Sequence, residues 1–420
     1  EVDQPDFKLF IDPVLDLELG FDLSDSTEYS DTIQLYNNTR GVRIAGQIGQ
    51  RVSFQSALFE NQGFYPLYYK TRADSFLVIP GQGRWKTFEN GGFDFSASTG
   101  KVAVDLGKGF QASVGHGKYF IGNGYRSMIL SDFAFNAPYA EARWQSKDNK
   151  WLIVKSLMGL STLERLPLGE VPESLFKRKS LSFHYVNFIP VKGVEIGLFE
   201  STVWQRFNEE GTTPMPWNAI ASIPLSNTVI NGFDNSKHLT TVGLNVHIAL
   251  NQQFRMYGQL TTTNPSQEEF AYQVGLISGE LPGGFRLRGE YNFAIANTHT
   301  HPSTQDFTHN NDPLAHPLGN GFQEAVGILD HRIKRWWSMW KVNYQKFNAL
   351  STQLELPQAQ EKTERFILEA QLGYTMNPRM RWQWLIGARY FTDHPGAGNT
   401  PTTWIYGGMR MAIVNKYYDF

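Results

Sequence analysis

Apolar and polar side chains alternate with a period of two along much of this chain. In residues 285–295, Phe285, Leu287, Gly289, Tyr291, Phe293 and Ile295 share one face, while Arg286, Arg288, Glu290 and Asn292 share the other. Residues 379–390 repeat the pattern with Met380, Trp382, Trp384, Ile386, Ala388 and Tyr390 opposite Arg379, Arg381, Gln383 and Arg389. Residues 364–374 set Phe366, Leu368, Ala370, Leu372 and Tyr374 against Arg365, Glu369 and Gln371, and residues 15–21 and 242–250 alternate in the same way. Successive side chains of a strand point to opposite faces, so each segment reads as a strand with one apolar and one polar face. Their lengths approach the 9–11 residues that a tilted strand needs to cross a bilayer.

A large soluble β-sandwich or propeller also alternates, but the connection lengths discriminate. Tight turns fall at Gly49-Gln50, Gly107-Lys108-Gly109, Lys147-Asp148-Asn149, Val191-Lys192-Gly193, Asn251-Gln252, Leu281-Pro282-Gly283 and Met376-Asn377-Pro378. Longer polar connections lie between them, near 24–39, 61–91, 118–135, 159–178, 205–235, 296–321, 348–361 and 394–402, with one modest connection near 264–267. Short periplasmic turns alternating with long extracellular loops are the habit of outer-membrane barrels, and a sandwich has no reason to keep it. The chain therefore reads as all-β: one antiparallel transmembrane barrel domain over residues 1–420, of about 18 strands, with 16 as the alternative. The first strand is expected near 14–23 and the last near 403–417, and the segment 322–333 is the weakest strand. Phe420, after Tyr417 and Tyr418, looks like the terminal aromatic that such barrels offer to their assembly machinery. Its even parity clashes with Met409 and Met411, so a bulge is expected between them.

Composition sharpens this picture. Charged residues are 19% of the chain, aromatics 14%, and glycines number 38. Mean hydropathy is −0.36, which a β-barrel tolerates because only alternate residues touch lipid. No stretch is long and apolar enough for a transmembrane helix. There is no cysteine, hence no disulfide or thiolate metal site, and the net charge of −2 lacks the footprint of a nucleic-acid binder. The polar start "EVDQPD" is that of a mature exported protein after signal-peptide removal, which places the chain in the outer membrane of a Gram-negative bacterium, among lipid and lipopolysaccharide.

The stretch "GHGKYFIGNGYRSMILSDF", residues 115–133, has the glycines of a phosphate loop without its spacing or a following helix, so nucleotide binding is not expected. With the blocks "FQSALFENQGFYP" (54–66) and "VIPGQGRWKTFENGGFDFSASTG" (78–100), the segment "GHGKYFIGNGYRSMILSDFAFNAPY" resembles the Bacteroidota outer-membrane barrels of the gliding-associated RemB type. Those barrels are themselves similar to the capsule-assembly Wzi family. The likeness covers roughly residues 40–145. It implies either an accessory subunit of a surface complex for gliding, type IX secretion or barrel assembly, with other outer-membrane proteins or lipoproteins as partners, or a lectin that holds surface polysaccharide. A passive porin is the third reading, and the accessory subunit is the reading preferred.

Candidate ligand residues come from the same stretch. Lys118, Asn123, Arg126 and Asp132 supply polar groups, and Tyr119, Phe120 and Tyr125 supply flat faces, a mixture that suits a saccharide or a partner. The polar face of the strands is expected to carry a luminal charge network of Arg43, Glu141, Arg143, Arg255, Arg286, Arg288, Glu290, Arg365, Glu369, Arg381 and Arg389. Pairing of these charges would make an occluded lumen. His299, His301, His309 and His316, with Asp306 and Asp312, read as a solvated polar loop, so no metal and no cofactor are expected. His184 and His247 lie within strands, but no G-x-S-x-G motif accompanies them, and no enzyme is expected.

Overall fold

A computed structural model of the chain describes residues 2–89, 91–165, 176–208, 211–213, 224–233, 238–301, 305–348, 363–394, 401–411 and 416–420. Eighteen strands form a closed antiparallel barrel. In chain order they are β1 (Phe7–Asp22), β2 (Leu35–Ile48), β3 (Val52–Phe64), β4 (Gly92–Gly107), β5 (Phe110–Gly117), β6 (Ala137–Gln145), β7 (Trp151–Arg165), β8 (Phe176–Phe188) and β9 (Val194–Gln205). They continue as β10 (Leu239–Ala249), β11 (Phe254–Asn264), β12 (Glu269–Ser278), β13 (Phe285–Ala294), β14 (Phe322–Ile333), β15 (Trp336–Phe347), β16 (Thr363–Asn377), β17 (Trp382–His394) and β18 (Thr402–Met411). Each strand pairs with the next, and β18 closes the ring on β1 from Leu15↔Met411 to Asp22↔Trp404. Closure removes the unpaired edge that a sheet cannot expose to lipid. Among the described residues the helices are short: α1 (Glu28–Thr32), α2 (Leu67–Phe76) and α3 (Ser226–Asn231).

The alternation read from the sequence is the alternation of the wall. On β16, Phe366, Leu368 and Leu372 are exposed on the outside, while Ile367 and Glu369 are buried on the inside. On β17, Trp384 and Ile386 face out, and Leu385 and Arg389 face in. Aromatic pairs gird the short-turn end, where Trp151 stacks on Phe188 and Phe285 on His331, both at 4.1 Å between ring centres. Such a girdle marks the interface of a lipid-facing belt.

Several boundaries differ from the sequence reading. The turn at Lys334 and Arg335 carries no Gly, Asn or Pro signal, and Lys334 itself adopts φ +55 to make it. The 379–390 segment begins too early: Arg381 sits in the turn before β17 at φ +53, exposed, and so outside the luminal network. The last strand ends at Met411, not near 417. Phe420 is not on the wall at all; it is 4% exposed and packed inside the barrel against Tyr68 and Tyr69. No bulge is needed to reconcile its parity with Met409.

The belt generates a direct test. Leu368→Arg places a charge on the lipid face and is expected to cost about 2–4 kcal/mol of folding stability near mid-belt, by denaturant titration in vesicles. The same change at exposed Gln252, in the turn between β10 and β11, is expected to shift stability by less than about 0.5 kcal/mol.

Candidate functional site

Three of the long connections and residues 416–420 fold into the lumen, where they meet. The 65–91 connection contributes α2, which starts after Pro66 and ends at Leu77, φ +58, with Tyr69 and Ala73 buried. The 118–136 connection crosses the lumen as an irregular chain. Gly122 takes φ +136, and a Cβ on Gly124 would lie 2.6 Å from Glu290 Oε2, so both positions need glycine. Across from them, Gln259 accepts from the Met128 N–H at 2.7 Å and donates to the Ile121 carbonyl at 2.8 Å, pinning the chain to β11.

The 295–321 connection is the reverse of a solvated loop. Phe307, Leu314, Ala315 and Leu318 are buried, the first three packed with Ile129, Phe183 and Phe199. His309 accepts from the Ser161 N–H at 3.1 Å through Nδ1 and lies 3.2 Å from the Asn136 carbonyl through Nε2. Asp312 receives the Gly81 N–H and pairs with Arg72, both at 3.1 Å. Among the described residues, no three His or acidic side chains gather to hold a metal.

Charge locks these pieces together. Arg126 is 1% exposed and grips Glu324 with two bonds, Nε to Oε2 at 3.2 Å and Nη2 to Oε1 at 3.0 Å. The same guanidinium pairs with Asp419 and donates to its backbone carbonyl. Asp419 in turn accepts from Lys341 at 3.0 Å and from the Tyr125 hydroxyl at 2.6 Å, and Lys341 reaches Glu369 at 2.9 Å. Glu369 then holds Arg389 at 2.5 Å, and His316 completes the other end on Glu324 at 2.8 Å. The result is a chain of alternating sign, Glu324–Arg126–Asp419–Lys341–Glu369–Arg389, with His316 hydrogen-bonded to its first member, linking four wall strands, two connections and the tail. Buried charge is costly unless paired and hydrogen-bonded, and here every carboxylate has at least two donors.

The sequence-predicted residues divide by depth. Lys118 donates to the carbonyls of Gly81 and Asp132 at 2.6 and 3.0 Å, Tyr119 bonds Ser156 at 3.0 Å, and Asp132 accepts from the Tyr417 hydroxyl. Asn123 accepts from Asn245 at 3.4 Å, whereas Phe120 keeps 39% of its surface exposed. Glu290 receives the backbone N–H groups of Tyr125 and Arg126 at 2.7 and 3.1 Å. Arg365 joins Asp393 and the Phe420 carbonyl, both at 2.7 Å. Nearer the short turns, Glu141 lies 3.6 Å from Lys101, and Arg286 makes only an exposed pair with Glu280. Arg43, Arg143, Arg255 and Arg288 make no ion pair among the described residues, so the network is concentrated in the upper lumen.

Sequence reasoning missed Glu324, Lys341, Arg410, Lys416 and Asp419. Arg410 bonds Asp16 and Glu18 at 3.1 and 2.6 Å, and Lys416 pairs with Asp16 at 3.2 Å. The one available signal was the parity misfit of the tail. A cavity of about 440 Å³ lies beneath the network, lined in part by Tyr125, Arg288, Lys341, Arg389, Arg410 and Lys416. Arg389 lies over the Tyr418 ring at 4.1 Å, while its Nε and Nη1 find no acceptor.

Burial sets the protonation of the inward connections. It pushes Lys118 down to about 8 and Arg72 down to about 10, and it pushes Asp312 up to about 6 in spite of Arg72. Burial also raises Asp419 and lowers Arg126, but the attraction between them and toward Lys341 and Glu324 prevails. Asp419 is left below, and Arg126 well above, the usual range. Both remain charged at neutral pH.

No protein-family model and no curated protein sequence matches this chain. Solved structures do. Wzi from Escherichia coli, an outer-membrane protein involved in group 1 capsule assembly and described as a carbohydrate-binding β-barrel, superposes with a TM-score of 0.59 at 13% identity. The match covers 97% of this chain and 85% of that one. OccK8 (OprE) from Pseudomonas aeruginosa gives 0.54 at 7% identity over 97% of each chain, and OprD from the same organism gives 0.51 at 9% over 97% and 96%. The fold is that of an outer-membrane β-barrel. The resemblance to Wzi in the 40–145 blocks thus agrees with the whole wall, whereas nothing in these comparisons supports the gliding-associated branch.

Two tests follow from the lock. Arg126→Met leaves Glu324 and Asp419 buried without their shared cation and is expected to cost about 3–5 kcal/mol. The loss should appear as faster hydrogen exchange in residues 416–420 and 118–136 while the barrel stays folded. The second is a pH effect at His309, which burial lowers from 6.5 to about 4. Its neutral ring fills both hydrogen bonds, so the stabilisation is complete above about pH 6.5 and is lost as pH falls toward about 4. Asp312, raised when folded, works in the opposite direction, favouring the packed state below about pH 6. Protection at residues 305–316, with the intrinsic pH dependence of amide exchange divided out, is expected to fall between about pH 7 and 6, before Asp312 offsets the loss, and His309→Gln, which can make the same two bonds, is expected to flatten that slope.

Proposed function

We propose that the chain is an outer-membrane protein of a Gram-negative bacterium that binds surface polysaccharide and does not conduct. The observation behind this reading is the filled lumen. The segment that most resembles the Wzi family, residues 115–139, supplies Arg126 to the lock, so the resemblance and the occlusion reside in the same residues. A porin needs a wet path at the level where Arg126, Asp419 and Lys341 form a buried pair network. No catalytic chemistry is invoked.

The saccharide platform is then not Tyr125, Arg126 and Asp132, whose polar groups serve the lock, but the rim above it. Tyr29, Trp85 and Phe88 are partly exposed there, packed against the buried cluster of Tyr65, Tyr69 and Phe93, with Arg84 and Lys86 alongside. Flat aromatic faces beside cations suit an acidic glycan. A role as accessory subunit of a larger surface assembly requires the same closed wall, and no separate observation favours it.

Purified barrel is expected to retain acidic capsular polysaccharide on an affinity column, and Trp85→Ala with Tyr29→Ala to weaken retention at least about tenfold, near 1.4 kcal/mol, without loss of the folded barrel. Absence of retention by the unaltered protein across neutral and acidic glycans would remove this reading.

A further inference from the structure

One sector of the outer wall breaks the apolar rule. On β9, Ile196 and Leu198 are exposed on the outside, and Phe199 and Val203 are buried on the inside, so Glu200 shares the outward face. It is nevertheless only 2% exposed. Cross-strand register sets His184 between Lys155 and Glu200, and Phe183, packed inside with Tyr119 and Phe199, puts His184 and Ser182 on the outside. His184 Nδ1 lies 3.6 Å from Glu200, and Lys155 donates to Ser182 at 2.5 Å. Polar and charged groups therefore stand where the belt should meet lipid, a placement tolerated only when something covers and pairs them.

Helix α3 is part of the cover. Thr228 donates to Glu200 Oε1 through both its backbone N–H and its hydroxyl, each at 2.7 Å, and Asn227 donates to Thr240 at 2.7 Å. Thr240 shares the outward face of β10 with Leu244 and Ile248, so α3 lies on the outside of the barrel. Its docked side, Ser226 and Asn227, is buried, whereas Val229 and Ile230 point away and are 81% and 53% exposed. Toward the short turns, the same face continues as exposed Leu198 and Leu244.

We propose that α3 is a membrane-interfacial element: it screens the polar cluster with one side and inserts Val229 and Ile230 among the acyl chains of the outer leaflet with the other. The occupant is lipid because the exposed pair is continuous with the belt of β9 and β10. The inference rests on the outer-membrane reading and goes beyond any binding role.

The chain has no cysteine, so single labels can be placed cleanly. Val229→Cys, Leu198→Cys in the belt and Leu77→Cys in the 65–91 connection each receive an environment-sensitive fluorophore. The proteins are reconstituted in dioleoylphosphatidylcholine vesicles with or without brominated chains. The label at 229 is expected to lose the same fraction of emission to brominated lipid as the label at 198, several-fold more than the label at 77. If 229 behaves like 77 while 198 is quenched, the helix does not enter lipid and the proposal falls. If 198 is not quenched either, the outer-membrane reading fails and takes the proposal with it. Glu200→Ala in the Val229→Cys protein tests the docking: quenching at 229 should drop by more than half with 198 unaffected, and an unchanged signal would reject the Glu200 anchor.

Discussion

The buried guanidinium of Arg126 is the constraint on which the interior depends. A cation at 1% exposure cannot stand alone, and its two carboxylate partners come from a wall strand and from the tail. Satisfying it fixes the path of the 118–136 connection, holds residues 416–420 inside the lumen and orders Lys341, Glu369 and Arg389 around them. The aromatic packing of Tyr68, Tyr69, Tyr417, Tyr418 and Phe420 then fills the space the charges leave. The apolar cluster supplies the bulk of the driving force, and the charges, which contribute little net stability, supply register.

The same economy of burial governs the outside. Most of the wall presents Leu, Ile, Val and aromatic side chains outward, as lipid requires, and departs from this where α3 brings hydrogen-bond donors to Glu200 and Thr240. Inside and outside thus follow one rule: a charge away from water is kept only where a second segment of chain satisfies it.

How much of this could be read from the sequence follows from what periodicity encodes. Alternation in β13, β16 and β17 gave strand, facing and the lumen side of Glu290, Glu369 and Arg389, because side-chain direction in a strand is local. The pairing of those charges, and the partners Glu324, Lys341 and Asp419, depends on contacts across hundreds of residues, about which a local pattern says nothing. The 295–321 connection was misread because His, Asp and Asn look solvated by composition. Its apolar residues, Phe307, Leu314 and Leu318, are too sparse for any period and become a core only when the barrel surrounds them. Phe420 failed for a related reason: an aromatic near the end of the chain suits the wall and the lumen alike, and only its parity pointed inward.

Ion conductance of the reconstituted barrel in a planar bilayer tests the central claim, that the charge-locked interior closes the lumen. The account predicts no steady channel from the unaltered protein, and openings from a variant lacking residues 416–420. A stable open channel from the unaltered protein, with its tail in place, would contradict it.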